Sequence, residues 1–171
     1  MASRFRNRFR NLGRNVLALS AVSLLTDAAS EMVYPLLPLY LSTVLGVSAA
    51  SVGAIEGAAE STAALLKLAS GWWSDRLARR KPLVVVGYAL AALARPLLAL
   101  AQTAGAVLTI RLTDRVGKGI RGAPRDALIA DSVPKESRGL AFGFHRASDH
   151  LGAVIGPLLA FTLLASGLTL R

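Results

Sequence analysis

Apolar residues fill five long stretches of this chain, about Val16 to Leu45, Ala49 to Trp73, Pro82 to Ala101, Ala106 to Ala130 and Leu140 to Leu164, and charges gather where the stretches meet. Each is long enough for the ~20 residues with which a helix crosses a bilayer. The pattern predicts an all-α membrane protein: a basic tail over residues 1–15, then a bundle of five transmembrane helices over 16–171. Pro35 and Pro38 lie in the outer part of the first stretch and predict a kink or break there, because proline removes a helix donor. Gly46 and Gly105 mark short outer turns, and Trp72 and Trp73 are expected to anchor at the inner interface.

The fourth stretch breaks the pattern, because Arg111, Asp114, Arg115, Lys118, Arg121, Arg125 and Asp126 all lie within it. Hydropathy alone makes it a surface helix. Spacing argues otherwise: Arg111, Arg115, Lys118 and Arg125 recur at helical intervals on one stripe, while Leu112, Val116, Ala123 and Ala127 occupy another face. Such a stripe suits a helix that lines a wet cavity inside a bundle. Pro124 is expected to disturb its inner end.

Composition narrows the class. The 171 residues are 53% hydrophobic with a formal charge of +10, and the bases cluster at the ends of apolar stretches rather than across one surface, which argues against nucleic acid as a partner. Without cysteine there is no disulfide framework or thiolate metal site, and only His145 and His150 remain as nitrogen ligands. No metal, cofactor or enzymatic activity is expected. Residues 117–122 are glycine-rich, but Leu112 stands where a phosphate loop needs its first glycine and Gly119 follows the lysine, so an ATPase is not supported.

Charge also sets the orientation. Five bases lie in the tail (Arg4, Arg6, Arg8, Arg10 and Arg14), four between Arg76 and Lys81, and Lys135 with Arg138 in the next loop on the same side, whereas the two opposite turns have none. The positive-inside tendency places the N-terminus in the cytoplasm, with only Arg171 left outside at the chain end.

Three short motifs then fall on these stretches in order. Gly71, Asp75, Arg76, Arg79 and Arg80 follow G-x-x-x-D-[RK]-x-G-[RK]-[RK], with Ala78 where the pattern has glycine. Arg111 or Arg115 is followed by Gly117, Gly119 and Gly122, and Ala130-Asp131 by Arg138-Gly139. Gly152, Gly156 and Pro157 complete G-x-x-x-G-P. Together they resemble the loop, fourth-helix and fifth-helix signatures of the major facilitator superfamily of transporters, over essentially the whole chain.

The resemblance implies an incomplete six-helix N-terminal bundle of a secondary active permease for a small molecule, multi-pass in a bacterial inner membrane. The G-x-x-x-G-P match implies proton-coupled antiport, hence efflux. Such transporters have two six-helix halves, so the missing C-terminal helices, or a second half, are expected partners besides lipid. The alternative is a truncated scaffold or partner subunit without transport of its own. An adjacent reading frame encoding further spans favours the first; a natural stop with no partner favours the second.

The resemblance also assigns roles. Asp75 is expected to pair with Arg79 and to join Asp131 in an inner gate. Charged groups at membrane depth are costly unless paired or hydrated. At ~1.5 Å per residue, Asp27 comes level with Arg115 and Glu31 with Arg111, which makes two candidate ion pairs. Asp27, Glu31, Arg111, Arg115 and Lys118 are therefore the substrate or proton candidates, with a structural clamp as the competing reading. Glu56, Glu60 and Lys67 on the second stretch, and Arg146, Asp149 and His150 on the fifth, are expected either to face helices beyond this chain or to pair within it. The third stretch carries only Arg95 and is expected to face lipid.

Overall fold

In the computed structural model, residues 12–77 and 79–167 are described. Arg4, Arg6, Arg8, Arg10, Ala78 and Arg171 lie outside them. Among the described residues, six α-helices follow in order: α1 (Arg14–Val33), α2 (Leu36–Thr43), α3 (Ala49–Ser74), α4 (Lys81–Leu97), α5 (Ala104–Asp131) and α6 (Arg138–Ala165). The first predicted span is α1 and α2 in series, and the other four correspond to α3, α4, α5 and α6. Short 3₁₀ turns at Leu98–Leu100 and Lys135–Ser137 extend the end of α4 and the approach to α6.

The break at Tyr34–Pro35 has a local cause. Prolines 35 and 38 remove two backbone donors within about one turn, so two helical hydrogen bonds cannot form. Both outer turns are closed by hydroxyl caps: Ser48 accepts from the Ser51 amide at 3.3 Å and Thr103 from the Ala106 amide at 3.2 Å. Gly46 sits at φ 64°, where a side chain would be strained. Gly105, expected in the second turn, lies instead inside the first turn of α5. Pro124 also departs from expectation, for α5 continues through it to Asp131 and buries its ring.

Two groups of helices make up the bundle. Along α1, α6 packs closely, while α5 lies between α3 and α4; the two groups touch each other at few points. Glycines set the close approaches. A Cβ on Gly152 or Gly156 would strike the α1 backbone at Leu24 and Ala28, one on Gly117 would strike Gly87 of α4, and one on Gly119 would meet Ala63 and Leu66 of α3. These are the small-residue contacts through which membrane helices associate. Gly71 likewise faces Ala123 across the α3–α5 contact.

Apolar plugs close both ends of the bundle. Leu37, Leu41, Ile55, Ala101 and Val107 pack at the outer end, and Leu12, Val16, Ile129, Val133 and Ala141 at the inner end. Leu12 thus belongs to the core although it falls within the predicted tail. Between the plugs lie the buried polar side chains Ser20, Ser23, Arg111, Asp114, Arg115, Arg121 and His145. Large apolar side chains such as Leu25, Leu65, Leu68, Leu93 and Phe161 point outward. A bundle with a polar middle and a greasy exterior suits lipid, not water.

Among the described residues, Arg14–Thr43, Lys81–Leu100 and Lys135–Ala165 are long and apolar enough to cross a membrane by composition alone. The helices that fall short, α3 and α5, lie side by side. Their charges face one another.

Candidate functional site

The site begins at the helix break. Tyr34 ends the first half of the opening span, and its hydroxyl donates to Glu56 Oε2 at 2.6 Å and reaches Glu60 Oε1 at 3.4 Å. Above its ring stand two guanidiniums, Arg111 at 4.0 Å and Arg115 at 4.8 Å from the ring centre. Cations over an aromatic face are attracted by its quadrupole. One tyrosine of α1 therefore holds two acids of α3 and two bases of α5.

Arg111 is gripped from both sides. Its Nε donates to Glu56 Oε1 at 3.2 Å and its Nη2 to Glu56 Oε2 at 2.7 Å, a two-point fork. Asp114 lies 3.9 Å from Nη1 and accepts from Arg95 Nε at 3.0 Å, while Arg95 Nη1 donates to the Thr26 carbonyl at 2.6 Å. A continuous chain of charge runs from α3 through α5 and α4 to α1. Arg115 is held more loosely, by one contact of 3.0 Å to Glu60.

These contacts correct two expected pairs. Glu31 does not reach Arg111 and Asp27 does not reach Arg115, because α1 packs on α6 and the neighbour of α5 is α3. The match in height fails as well: Arg111 and Arg115 lie over Tyr34, seven residues beyond Asp27, while Ser23, one turn before Asp27, meets Arg125. The acids that meet the arginines are Glu56 and Glu60, two of those expected either to look outward or to pair within the chain. Arg95, the charge of the third stretch, is largely buried and joins α4 to both α5 and α1, while Val85, Val86, Leu93 and Leu97 of the same helix are exposed.

Lower in the bundle, a second cluster gathers around Arg125. Its Nε and Nη2 donate to Asp126 Oδ1 at 3.1 and 3.0 Å, and its Nη1 donates to Ser23 of α1 at 3.2 Å and lies 3.9 Å from Asp149 of α6. His145, fully buried, stands 3.4 Å from the Ser20 hydroxyl through Nδ1 and 3.6 Å from Asp149 through Nε2. Arg146 approaches Asp126 at 3.9 Å. Of the two readings for the fifth stretch, pairing within the chain holds for Arg146 and Asp149. His150 is exposed, and Lys67 lies exposed along Gly122.

At the end of the bundle where α3 gives way to α4, Arg80 contacts Asp131 and stands 3.8 Å from Asp75. The expected gate is thus bridged by Arg80, not by Arg79, with one guanidinium between two carboxylates that would otherwise repel. Arg76 stacks on Trp72 at 3.5 Å from the ring centre and donates to its carbonyl at 3.1 Å, and both tryptophans are exposed, as interfacial anchors are.

Three of the sequence candidates stay unspent. Asp27, Glu31 and Lys118 make no hydrogen bond or ion pair with any other described residue. Lys118 is exposed, and Asp27 and Glu31 are half-buried. An apolar cleft of about 640 Å³ between α1, α2 and α4 lies beside the charged seam and meets it at Thr26 and Arg95.

Sequence reasoning passed over Tyr34, Asp114, His145 and the serines of α1. A usable signal existed for the outer cluster: Glu56 and Glu60 stand seven and eleven residues beyond the start of α3 at Ala49, and Arg111 and Arg115 stand at the same offsets beyond the start of α5 at Ala104. Both helices run from the outer side inward, so equal offsets put the four charges at matching heights on neighbours.

Comparison with known proteins accords with this geometry. A family profile described as Major Facilitator Superfamily matches residues 19–169. An uncharacterised MFS-type transporter of Methanocaldococcus jannaschii is 41% identical over 152 residues, which cover 88% of this chain and 37% of the relative. An uncharacterised protein of Mycobacterium tuberculosis is 34% identical over 152 residues, with 89% and 37% covered. Multidrug resistance protein MdtH of Photorhabdus laumondii is 30% identical over 155 residues, with 91% and 38% covered. The chain spans little more than a third of the length of these relatives.

Proposed function

This chain belongs to the Major Facilitator Superfamily, and from that premise we propose that it is the N-terminal portion of a proton-coupled exporter of small molecules, lying in a bacterial inner membrane with its N-terminus in the cytoplasm. The observation that carries the reading is the unspent carboxylate of Asp27, half-buried in the long apolar helix α1 and in no hydrogen bond or ion pair with another described residue. A carboxylate in that position can take up and release a proton without breaking a structural bond. The similarity to a multidrug resistance protein supports export, and the gathering of bases on one side of the bundle supports the orientation.

The ion pairs of Arg111 and Arg125 are the fixed part of this scheme, and the unspent groups are the working part. Asp27→Asn, placed in the complete transporter in vesicles, is expected to abolish proton-driven accumulation while leaving substrate exchange at equilibrium. Proton coupling retained at normal expression would sink the assignment.

The Asp75–Arg80–Asp131 bridge serves in this reading as an inner latch that must open when the halves of the transporter separate. Each contact is surface-exposed and worth under ~1 kcal/mol, weak enough to break in every cycle. Arg80→Gln is expected to raise the labelling of an inner-cavity cysteine severalfold, and Arg79→Gln to leave it unchanged. Equal effects from both would remove Arg80 from the latch.

A further inference from the structure

Arg111 and Arg115 are one helical turn apart, face the same tyrosine ring and each meet a glutamate of α3, yet they are not equally satisfied. Arg111 uses both Nε and Nη2 on Glu56. Arg115 uses Nη2 alone on Glu60, and its Nε is buried without a hydrogen-bond partner. The residue is only 3% exposed, so water does not make up the difference. A guanidinium that is buried, oriented by a ring and half-bonded leaves unmade the second bond of the fork that Glu56 completes one turn away.

The two glutamates also differ. The Glu56 side chain is 20% exposed and tied to the Tyr34 hydroxyl at 2.6 Å, whereas that of Glu60 is 52% exposed and reaches the same hydroxyl only at 3.4 Å. Glu60 can swing into solvent and remain hydrated. One turn further along α5 is Lys118, exposed and without an ion pair among the described residues. Like charges three residues apart on a helix repel, and an anion between them relieves that repulsion. The acids within electrostatic reach of Lys118 are Glu60 and Asp27, and neither forms an ion pair with it.

We infer that Arg115 and Lys118 form a binding site for the carboxylate of a small organic anion, with Glu60 as the internal carboxylate that occupies it until the ligand displaces it. The inference rests on the transport reading above and names the substrate class for its site. A planar carboxylate engages Nε and Nη2 together, as Glu56 does on Arg111, and so supplies the bond that Glu60 leaves unmade. A cation is disfavoured there, because it would have to expel a buried guanidinium and leave it without a counter-charge.

The test is equilibrium binding of radiolabelled benzoate to the purified complete transporter in detergent, at fixed ionic strength. An internal competitor lowers apparent affinity by the fraction of molecules in which it blocks the site, so Glu60→Gln is expected to tighten benzoate binding roughly five- to tenfold. Thermal unfolding should show benzoate raising the melting temperature of Glu60→Gln more than that of the natural chain. Lys118→Gln, at an exposed and unpaired position, keeps the proposal falsifiable if Glu60→Gln does not fold, and is expected to weaken binding severalfold. Benzylammonium binding in place of benzoate, or benzoate binding indifferent to both substitutions, overturns the anion site. If benzoate does not bind but the complete transporter still moves a neutral or cationic solute against a proton gradient, the substrate class falls and the transport reading stands. Benzoate binding without any vectorial transport by the complete protein does the reverse.

Discussion

Arg111→Met is expected to destabilise the bundle by about 3–5 kcal/mol, the range found when one partner of a buried pair is removed and the other stays charged. Arg111 is 4% exposed, and its loss strands Glu56, held on two bonds, and strips one of two bases from Asp114. Much of the damage should come from the stranded acid rather than from the lost attraction. Adding Glu56→Gln to Arg111→Met should therefore recover a good part of the stability, and a double-mutant cycle on unfolding in bicelles would measure the coupling. Arg115→Met offers the contrast. The acid it leaves behind, Glu60, is half exposed and regains water, so the loss should stay nearer ~1 kcal/mol. Equal losses at the two arginines would mean that Glu60 is as fixed as Glu56, and the division between a structural clamp and an openable site would fail.

That division could not be read from the chain alone. The limits of the helices lie within a few residues of the apolar stretches, and the break in the first falls where prolines 35 and 38 remove helix donors. Spacing of charges along a single helix was legible, because each residue adds a fixed rise. Direction around the bundle was not, since it depends on which helices touch. That depends in turn on glycines whose use appears only when a backbone fills the space, as Leu24 and Ala28 do beside Gly152 and Gly156. Asp27 and Glu31 were matched to arginines that instead meet Glu56 and Glu60 of α3 beside Tyr34. Tyr34 escaped notice because nothing in an isolated tyrosine beside a proline distinguishes a packing ring from one that carries two guanidiniums. The latch illustrates a finer limit: Arg79 and Arg80 are adjacent bases in a loop, and the chain's exit from α3 decides which one turns toward Asp131.

The G-x-x-x-G-P motif gains a physical meaning from the same packing, with a consequence for transport. Gly156 sits where an added Cβ would press on the Ala28 carbonyl and the Met32 amide, which are backbone atoms that cannot swing aside. Gly156→Ala is expected to cost about 1–3 kcal/mol, as overpacking in a close contact does, despite the roughly 1 kcal/mol that alanine gains over glycine inside a helix. Gly143, also within α6, has open space around it, so Gly143→Ala keeps the propensity gain and should be neutral or stabilising by up to about 1 kcal/mol. The stretch of α1 against Gly152 and Gly156 also carries Asp27 and Glu31, so forcing α6 outward displaces the unspent acids relative to Lys118. Transport by the complete protein should then fall by more than the loss of folded protein explains, with the larger part of the deficit in proton coupling. If Gly156→Ala proves as stable as Gly143→Ala, the close α1–α6 contact is not what holds these acids in place, and the motif requires a different explanation.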